Sequence, residues 1–124
     1  MITIEKEFEF QETYPLSRLG KREDLLFFDI ETTGFSGVSS MVYLIGCVFF
    51  REDKARFIQW FADDRESEPQ ILEHFFTFLK NFNTLIHFNG DTFDIPFLLK
   101  RCQALRLPCG FDKIKSIALY QQVR

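Results

Sequence analysis

The sequence lacks the patterns that mark several common classes of protein. No apolar run approaches the roughly 20 residues of a membrane-spanning helix, and the acidic start, MITIEKEFEF, does not resemble a secretory signal. Glycine-rich phosphate-binding signatures and the Gly-x-Ser-x-Gly nucleophile turn are absent. Neither His74 nor His87 lies in a zinc-binding spacing, so both are interpreted as structural. We therefore expect no membrane partner, nucleotide cofactor or zinc site.

Cysteine is scarce, and its spacing excludes two further classes. Cys47, Cys102 and Cys109 are odd in number and form no Cys-x-x-Cys pair. They are interpreted as reduced, mostly buried thiols rather than a disulfide framework. A cytoplasmic location is the corresponding expectation.

What the sequence does contain fits one globular domain. The chain has 124 residues, of which 46% are hydrophobic and 27% charged, and 17 are phenylalanine. Because each aromatic side chain buries a large area, few positions suffice to fill a core. The net charge of −3 divides into −8 over residues 1–94 and +5 over residues 95–124. The basic end could follow a phosphate backbone, or it could be a solvated helix face and loop.

Apolar periodicity predicts a mixed α/β fold. Residues 1–10 alternate, which predicts a half-exposed strand with Ile2, Ile4 and Phe8 on one face, and residues 11–24 are typical of a loop. Strands follow at 25–30, 42–50 and 55–61, and their short polar connections favour an antiparallel arrangement. The first of these strands is expected to be buried on both faces, and Gly46 is a candidate bulge.

The second half of the chain alternates helices and strands. Ser67 and Pro69 predict the start of a helix that runs to about Asn81. A strand at 84–88, parallel to the strand at 25–30, a helix at 93–105 and a short strand at 111–116 complete the prediction. We divide the chain into an N-terminal strand and loop extension, 1–24, and a domain, 25–124.

Two carboxylates interrupt the apolar strand LLFFDI. Asp29 and Glu31 are two positions apart, so their side chains point to the same face of a strand. The run contains no lysine or arginine to neutralise them. A divalent cation with a preference for hard oxygen ligands, Mg²⁺ or Mn²⁺, is a natural partner. The alternative is that both acids cap a neighbouring turn or helix.

Asp94 is the third candidate acid. It follows the fourth strand in the segment HFNGDTFDIPFL, where an Asn-Gly turn leads into a helix. Taken alone, this position favours a helix N-cap. If the strand at 84–88 lies beside the strand at 25–30, however, Asp94 meets Asp29 and Glu31. The other acidic residues of the loop and helix start, Asp63, Asp64, Glu66 and Glu68, are interpreted as solvated.

Both segments resemble motifs of a known family. FFDIETTGF at 27–35 is similar to the first exonuclease motif of the DEDD (ribonuclease-H-like) 3′–5′ exonuclease superfamily, and HFNGDTFDIPFL at 87–98 is similar to the second. In their residue pattern the two motifs most resemble those of bacterial predicted ribonuclease-H-like exonuclease domains. The resemblance implies a ribonuclease-H-like mixed sheet with three antiparallel strands, followed by a helix, a parallel strand and a helix.

The resemblance also implies a chemistry and a site. It implies hydrolysis of phosphodiester bonds of DNA or RNA from a 3′ end with two metal ions, Mg²⁺ or Mn²⁺. Asp29 would bridge both ions, Glu31 would hold the one that activates water, and Asp94 would hold the other. The residues implied along a single-stranded 3′ end are Thr32, Thr33, Gly34, Phe35 and Asn89. Phe35 would stack on a base, or would anchor a loop or core.

The sequence departs from the family at its end. The third motif, with the fourth carboxylate and the general base, is absent before Arg124. The simplest explanation is a fragment that lacks the C-terminal helix. Two other functions stay open: a non-catalytic nucleic-acid-binding domain of the same fold, and an interaction domain whose uncovered core surface would allow a homodimer. The basic residues Lys100, Arg101, Arg106, Lys113, Lys115 and Arg124 favour the nucleic-acid-binding function.

Overall fold

One mixed sheet organises the part of the chain that the computed structural model describes, namely residues 1–8, 16–52, 54–87, 93–111 and 114–118. Within these ranges six strands lie in the order β1-β4-β3-β2-β5-β6. The strands are β1 (Ile2–Phe8), β2 (Leu25–Thr32), β3 (Val42–Arg51), β4 (Lys54–Phe61), β5 (Thr84–His87) and β6 (Lys115–Ala118). The two α-helices are α1 (Glu68–Leu79) and α2 (Ile95–Leu105).

Strand directions follow the predicted α/β arrangement. β2, β3 and β4 pair antiparallel through short connections. Helix α1 then carries the chain back across the sheet, and β5 pairs parallel to β2. The last described strand, β6, is parallel to β5 and lies at 115–118 rather than at the predicted 111–116. The predicted mixed sheet, with its antiparallel and parallel parts, is confirmed.

The two faces of the sheet differ in what covers them. One face packs against both helices, and there Phe28 stacks on Phe75 of α1 with ring centroids 5.5 Å apart. The opposite face carries Phe27, Asp29 and Glu31, and all three side chains are at least partly exposed. We call it the open face. The expectation that β2 is buried on both sides therefore holds only at the start of the strand, where its first residue is fully buried in a second apolar cluster on that face. It fails further along the strand, where that face is exposed.

The N-terminal strand also differs from its prediction. β1 pairs antiparallel with β4 at the edge of the same sheet, as a strand should. Its apolar side chains are nevertheless exposed, with fractions of 47% for Ile2, 40% for Ile4 and 43% for Phe8. An edge strand has one strand neighbour instead of two, and here that is too little to bury the alternating face.

The structure differs from the sequence predictions in three local features: the cap of α1, the end of α1 and the position of the irregularity in the sheet. The turn before α1 is capped by Asp64, whose Oδ1 accepts a hydrogen bond of 2.8 Å from the amide of Ser67. Ser67 itself makes no side-chain capping bond, and α1 ends at Leu79 rather than near 81. Gly46 keeps a regular register opposite Asp29, and the register shift lies instead between Glu31 and Thr32.

None of the three cysteines forms a disulfide in the part of the chain that the structure describes. Cys47 and Cys102 are buried and Cys109 is half-buried. Burial raises the pKa of Cys47, while a hydrogen bond with Cys109 is the main cause that raises the pKa of Cys102. In the described ranges, no helix has the length and apolar character needed to cross a membrane.

A buried ion pair joins the two helices. Glu68 at the start of α1 is 2% exposed, and Arg101 of α2 is 5% exposed. The guanidinium binds both carboxylate oxygens, with 2.8 Å between Nε and Oε2. The expectation that Glu68 is solvated is therefore wrong. A buried charge is costly unless it is paired, so each of these residues depends on the other.

Replacing Glu68 should test this dependence. Glu68→Ala leaves the Arg101 charge buried without its partner, and we expect the free energy of unfolding to fall by about 3–5 kcal/mol. Urea unfolding followed by circular dichroism measures the loss. Glu66→Ala removes an exposed carboxylate in the preceding turn and should change the free energy by less than about 0.5 kcal/mol. Equal losses for the two variants would contradict the assignment.

Candidate active site

Asp29 and Glu31 stand on the open face because of strand alternation. Phe28 and Ile30 point toward the helices, so the two acids between and beyond them must point the other way. Asp29 lies directly opposite Gly46 of β3, which has no side chain to fill the space in front of it. The result is a groove of about 430 Å³, with acids along one wall. Its other lining side chains include Phe27, Leu44, Val48, Phe57 and Gln59.

Asp94 arrives at the same end of the sheet through the parallel pairing of β5. It lies just before α2, and it is buried with 8% of its surface exposed. Its side chain makes no capping hydrogen bond to the helix. The N-cap alternative thus has no hydrogen bond to support it. The carboxyl ends of β2 and β5 meet at one edge because the strands are parallel, and this brings Asp94 toward Asp29 and Glu31.

The electrostatics show that the three acids act on one another. Burial is the main cause that raises the pKa of Asp94 from 3.8 to about 6, and the charges of Asp29 and Glu31 raise it further. Among the described residues, no lysine or arginine forms an ion pair with any of the three. The groove end is therefore a concentration of uncompensated negative charge.

The donor set is suitable for a hard divalent cation, although it is not a preassembled cluster. In the part of the chain that the structure describes, no three carboxylate, imidazole or thiol groups lie close enough to hold a metal ion. The coupling of Asp94 to Asp29 and Glu31 acts over longer distances than ligand bonds. Carboxylate oxygens are the ligands that Mg²⁺ and Mn²⁺ prefer, so the residues present fit such an ion in kind.

The residues that follow β2 form a closed loop, which we call the Phe35 loop (residues 33–41). Its neck is joined at Thr33, whose amide donates to the carbonyl of Met41 and whose Oγ1 accepts from the amide of Met41, both at 2.9 Å. Thr32 Oγ1 donates to the carbonyl of Gly34 at 2.7 Å. A Cβ on Gly34 would lie 2.5 Å from Ser40 Oγ, so only glycine fits there without a shift.

Phe35 itself points into solvent. It is 92% exposed, and its described ring contact is an edge-on contact with Phe93, with 6.4 Å between centroids. The alternative that Phe35 anchors the core is therefore wrong. Phe93 lies next to Asp94 in the chain and packs on Phe97 of α2, so Phe35 stands on the side of the molecule that carries Asp94. Asn89 lies outside the described residues.

The sequence analysis did not predict the buried ion pair between Glu68 and Arg101. Glu68 was interpreted as solvated and Arg101 as part of a basic surface, yet they form the buried pair described above. The signal was present: Glu68 continues the apolar stripe of Ile71, Leu72 and Phe75 backward by one turn. Of the remaining basic residues, Lys100, Arg106 and Lys115 are exposed, and Lys113 and Arg124 lie outside the described residues.

The histidines occupy structural positions. His87 is buried at the end of β5, where its ring lies edge-on to Phe28 and its Nε2 shares a hydrogen bond of 2.6 Å with Ser116 Oγ. His74 is exposed on α1 beside Trp60. His87 also borders the groove that Asp29 and Glu31 line, whereas His74 does not.

Comparison with known proteins identifies the family of the chain. A family model described as the RNase_H superfamily matches residues 26–124. A DNA polymerase from Thermococcus litoralis is 34% identical over 100 residues, which are 72% of this chain and 6% of the polymerase. A DNA polymerase from Pyrococcus glycovorans is 32% identical over 99 residues, covering 71% of this chain and 13% of the relative. The chain thus spans only a small part of these curated relatives.

A solved structure shares the fold. The family B DNA polymerase from the hyperthermophilic archaeon Pyrobaculum calidifontis matches with a TM-score of 0.65 and 19% identity, over 80% of this chain and 16% of that one. The family match extends over most of the chain, so the chain belongs to the RNase_H superfamily. The resemblance inferred from the two motifs is thereby confirmed, and the sheet described above is a ribonuclease-H-like sheet.

The charge of Asp94 should make the stability of the fold depend on pH. Because its pKa is higher in the folded than in the unfolded chain, its contribution to stability is complete below about pH 4 and is lost as pH rises through about 6. Asp94→Asn carries no charge at this position. We therefore expect its free energy of unfolding, relative to that of the wild type, to rise by about 2–3 kcal/mol between pH 4 and pH 7.5.

Urea unfolding at both pH values, with EDTA present, measures this difference. Glu73→Gln removes an exposed carboxylate of α1 and serves as the control, with no comparable pH-dependent gain expected. A constant difference between Asp94→Asn and the wild type at both pH values would show that the pKa of Asp94 is not raised in the folded chain.

Proposed function

We propose that this chain is a metal-dependent 3′–5′ exonuclease domain that hydrolyses phosphodiester bonds of DNA or RNA. The observation that carries the proposal is that Asp29 and Glu31 line one open groove, and that their charges add to burial in raising the pKa of Asp94 at the same edge of the sheet. Three carboxylates without a basic partner are unfavourable in isolation and become favourable around divalent cations. Mg²⁺ or Mn²⁺, two ions in the complete site, is the proposed cofactor.

The proposed reaction is a simple hydrolysis. Water adds to the phosphorus of the last linkage and the P–O3′ bond breaks. The terminal nucleotide leaves as a 5′-monophosphate, and O3′ of the shortened strand takes up a proton and becomes a hydroxyl group. The cations, when bound, would stabilise charge on the attacking and leaving oxygens. Asp29 is proposed to contact both ions, Glu31 the ion on the water side, and Asp94 the other.

The Phe35 loop is the proposed seat of the terminal nucleotide. Thr32, Thr33 and Gly34 lead directly from the acids to Phe35, and the neck of this loop is closed by hydrogen bonds of Thr33 to Met41. An exposed ring on the side of the molecule that carries Asp94 suits stacking on an unpaired base. A single-stranded 3′ end is therefore the proposed partner, and Asn89 is proposed to support the same site.

The relatives support a nucleic-acid substrate. Those reported above are called DNA polymerases, and the similar segment is a minor part of each. Family membership and the position of the acids together favour nuclease chemistry over the other reactions that a mixed sheet can carry.

A second function stays open: binding a single strand without cleaving it. The observation that favours it is the lack, in the described ranges, of a ready-made cluster of three ligands. The exposed Lys100, Arg106 and Lys115 would then contact phosphates. Such binding would weaken with salt and would need no divalent cation, which separates it from the leading proposal.

Nucleotide release tests the leading proposal. A 5′-labelled single-stranded oligonucleotide, as DNA and as RNA, is incubated with Mn²⁺, with Mg²⁺ or with EDTA. We expect a ladder shortened from the 3′ end that needs the cation and that falls at least about 100-fold in Asp29→Asn, because the substitution removes a ligand charge. Mn²⁺ should also raise the melting temperature of the wild type more than that of Asp29→Asn.

Glu73→Gln is the control, since it removes a carboxylate from the helix-covered side and should leave the ladder unchanged. If the oligonucleotide stays intact but binds to the protein in a manner that depends on salt and not on the cation, the exonuclease proposal is refuted and the non-catalytic binding function is supported. If the protein neither cleaves nor binds the oligonucleotide, both functions are refuted.

Phe35 should affect substrate affinity more than turnover. Phe35→Ala removes the ring proposed to stack on the terminal base, and stacking of one base is worth about 1–3 kcal/mol. We therefore expect KM for the oligonucleotide to rise at least about fivefold with little change in kcat. Val38→Ala removes an apolar side chain from the same loop, 76% exposed, and is the matched control. Equal effects of the two substitutions would exclude a specific stack.

A further inference from the structure

The buried ion pair has a third partner, the Phe35 loop. We propose that Arg101 is a positioning residue which, held by Glu68, fixes this loop and thereby places Phe35 on the side of the molecule that carries Asp94. The inference rests on the proposed function, because Phe35 matters only if it contacts the substrate. Arg101 itself does not line the groove.

Arg101 divides its donors between two tasks. Nε and Nη2 bind the two carboxylate oxygens of Glu68. Nη1 donates to the carbonyl of Gly37 and to that of Val38, at 3.1 Å each. A planar guanidinium with donors on both edges can make these bonds at once, whereas the single ammonium of lysine cannot.

Glu68 also holds the far end of the loop. Its Oε2 accepts a hydrogen bond of 2.8 Å from the amide of Val42, the first residue of β3. One carboxylate therefore fixes the residue that follows the loop, and the arginine on that carboxylate fixes the tip. The loop is held at its neck by Thr33, at its exit by Glu68 and at its tip by Arg101.

The tip also fits closely against α2. A Cβ added to Gly37 would lie 2.6 Å from Cβ of Lys100, a distance that requires the loop or the helix to move. Gly37 is buried here, although its neighbours Ser36 and Val38 are exposed. The loop is thus seated on the helix through backbone atoms, and its outer side chains are left free of that contact.

The same helix region sets where Phe35 points. The ring of Phe35 meets the edge of Phe93, and Phe93 packs on Phe97 of α2 at 5.3 Å between centroids. A loop that detached from Arg101 would keep its sequence and its ring but would lose this fixed relation to Asp94. The pair therefore places a 92% exposed aromatic ring that has little packing of its own.

The first test compares Arg101→Lys with Arg65→Lys. Both remove a guanidinium and keep its charge, but Arg65 is exposed in the turn before α1. We expect Arg101→Lys to raise KM for the single-stranded oligonucleotide about 5- to 10-fold with kcat within about twofold, because a misplaced positioning group weakens binding. Arg65→Lys should change neither.

A double-mutant cycle with Phe35→Ala distinguishes positioning from general destabilisation. If Arg101 acts through the ring, Arg101→Lys should change KM by less than about twofold in a Phe35→Ala background. A merely structural role would lower the melting temperature and raise KM equally in both backgrounds. Equal effects on KM in the two backgrounds would overturn the proposal.

A second readout needs no nucleic acid. Chymotrypsin cleaves after exposed phenylalanine, and mass spectrometry identifies fragments 1–35 and 36–124 as products of cutting at Phe35. We expect Arg101→Lys to speed this cut at least about threefold relative to cuts in the core, with Arg65→Lys unchanged. Gly37→Ala should speed it as well, since it pushes the loop from α2 while leaving Arg101 and Glu68 intact.

The two readouts separate the possible failures. Wild-type protein that neither binds nor cleaves the oligonucleotide would refute the proposed function and the substrate part of this inference, and proteolysis would still decide whether Arg101 holds the loop. An unchanged rate of cutting at Phe35 in both Arg101→Lys and Gly37→Ala would overturn the inference directly. Should Arg101→Lys not fold, Gly37→Ala alone carries both readouts.

Discussion

The parallel pairing of β5 with β2 is the constraint on which the site depends. An antiparallel neighbour would place its carboxyl end at the opposite edge of the sheet and take Asp94 away from Asp29 and Glu31. The pairing is three residues long in register, from Leu25 opposite Thr84 to Phe27 opposite Ile86. Helix α1 makes it possible, because only a long crossover connection can return the chain to run in the same direction. Burial of the α1 stripe against β3 and β4 therefore supports the position of a carboxylate that α1 does not touch.

The site acts against the stability of the fold that carries it. Apolar burial on the helix-covered face is ample, with Phe28, Phe75 and their neighbours in one cluster. The open face places acids where the same strand could have carried more valine or isoleucine. Asp94 shows the cost, since burial and like charges raise its pKa to about 6, so that its ionisation at neutral pH lowers the stability of the fold. A fold selected for stability alone would not keep three such groups together, whereas a fold that binds a cation gains from the same repulsion.

The sequence was most informative where one physical signal acts alone. Alternation in LLFFDIE fixed the common face of Asp29 and Glu31, and helix periodicity located both helices to within two residues at most boundaries. It failed where the outcome depends on what lies opposite. The apolar run of β2 did not reveal that part of one face stays open, and the alternation of β1 did not reveal that an edge strand buries neither side. The register shift after Glu31 also arises from pairing between strands, which a single strand does not encode.

Glu68, Asp94 and Arg101 show how one sequence pattern leads to opposite results. All three occupy the core-facing stripe of a helix or its first turn, where an apolar residue is the default. Glu68 and Arg101 carry opposite charges and meet, so their burial produces a neutral, fully hydrogen-bonded link between α1, α2 and the Phe35 loop. Asp94 meets only charges of its own sign among the described residues, so its burial stores repulsion. A charge on an apolar stripe is therefore a signal in itself, but its meaning lies in the sign of the charges that the fold places opposite it. Where the signs differ, the stripe holds the structure together. Where they agree, the buried charge stores repulsion, and it is there that we propose a cation binds.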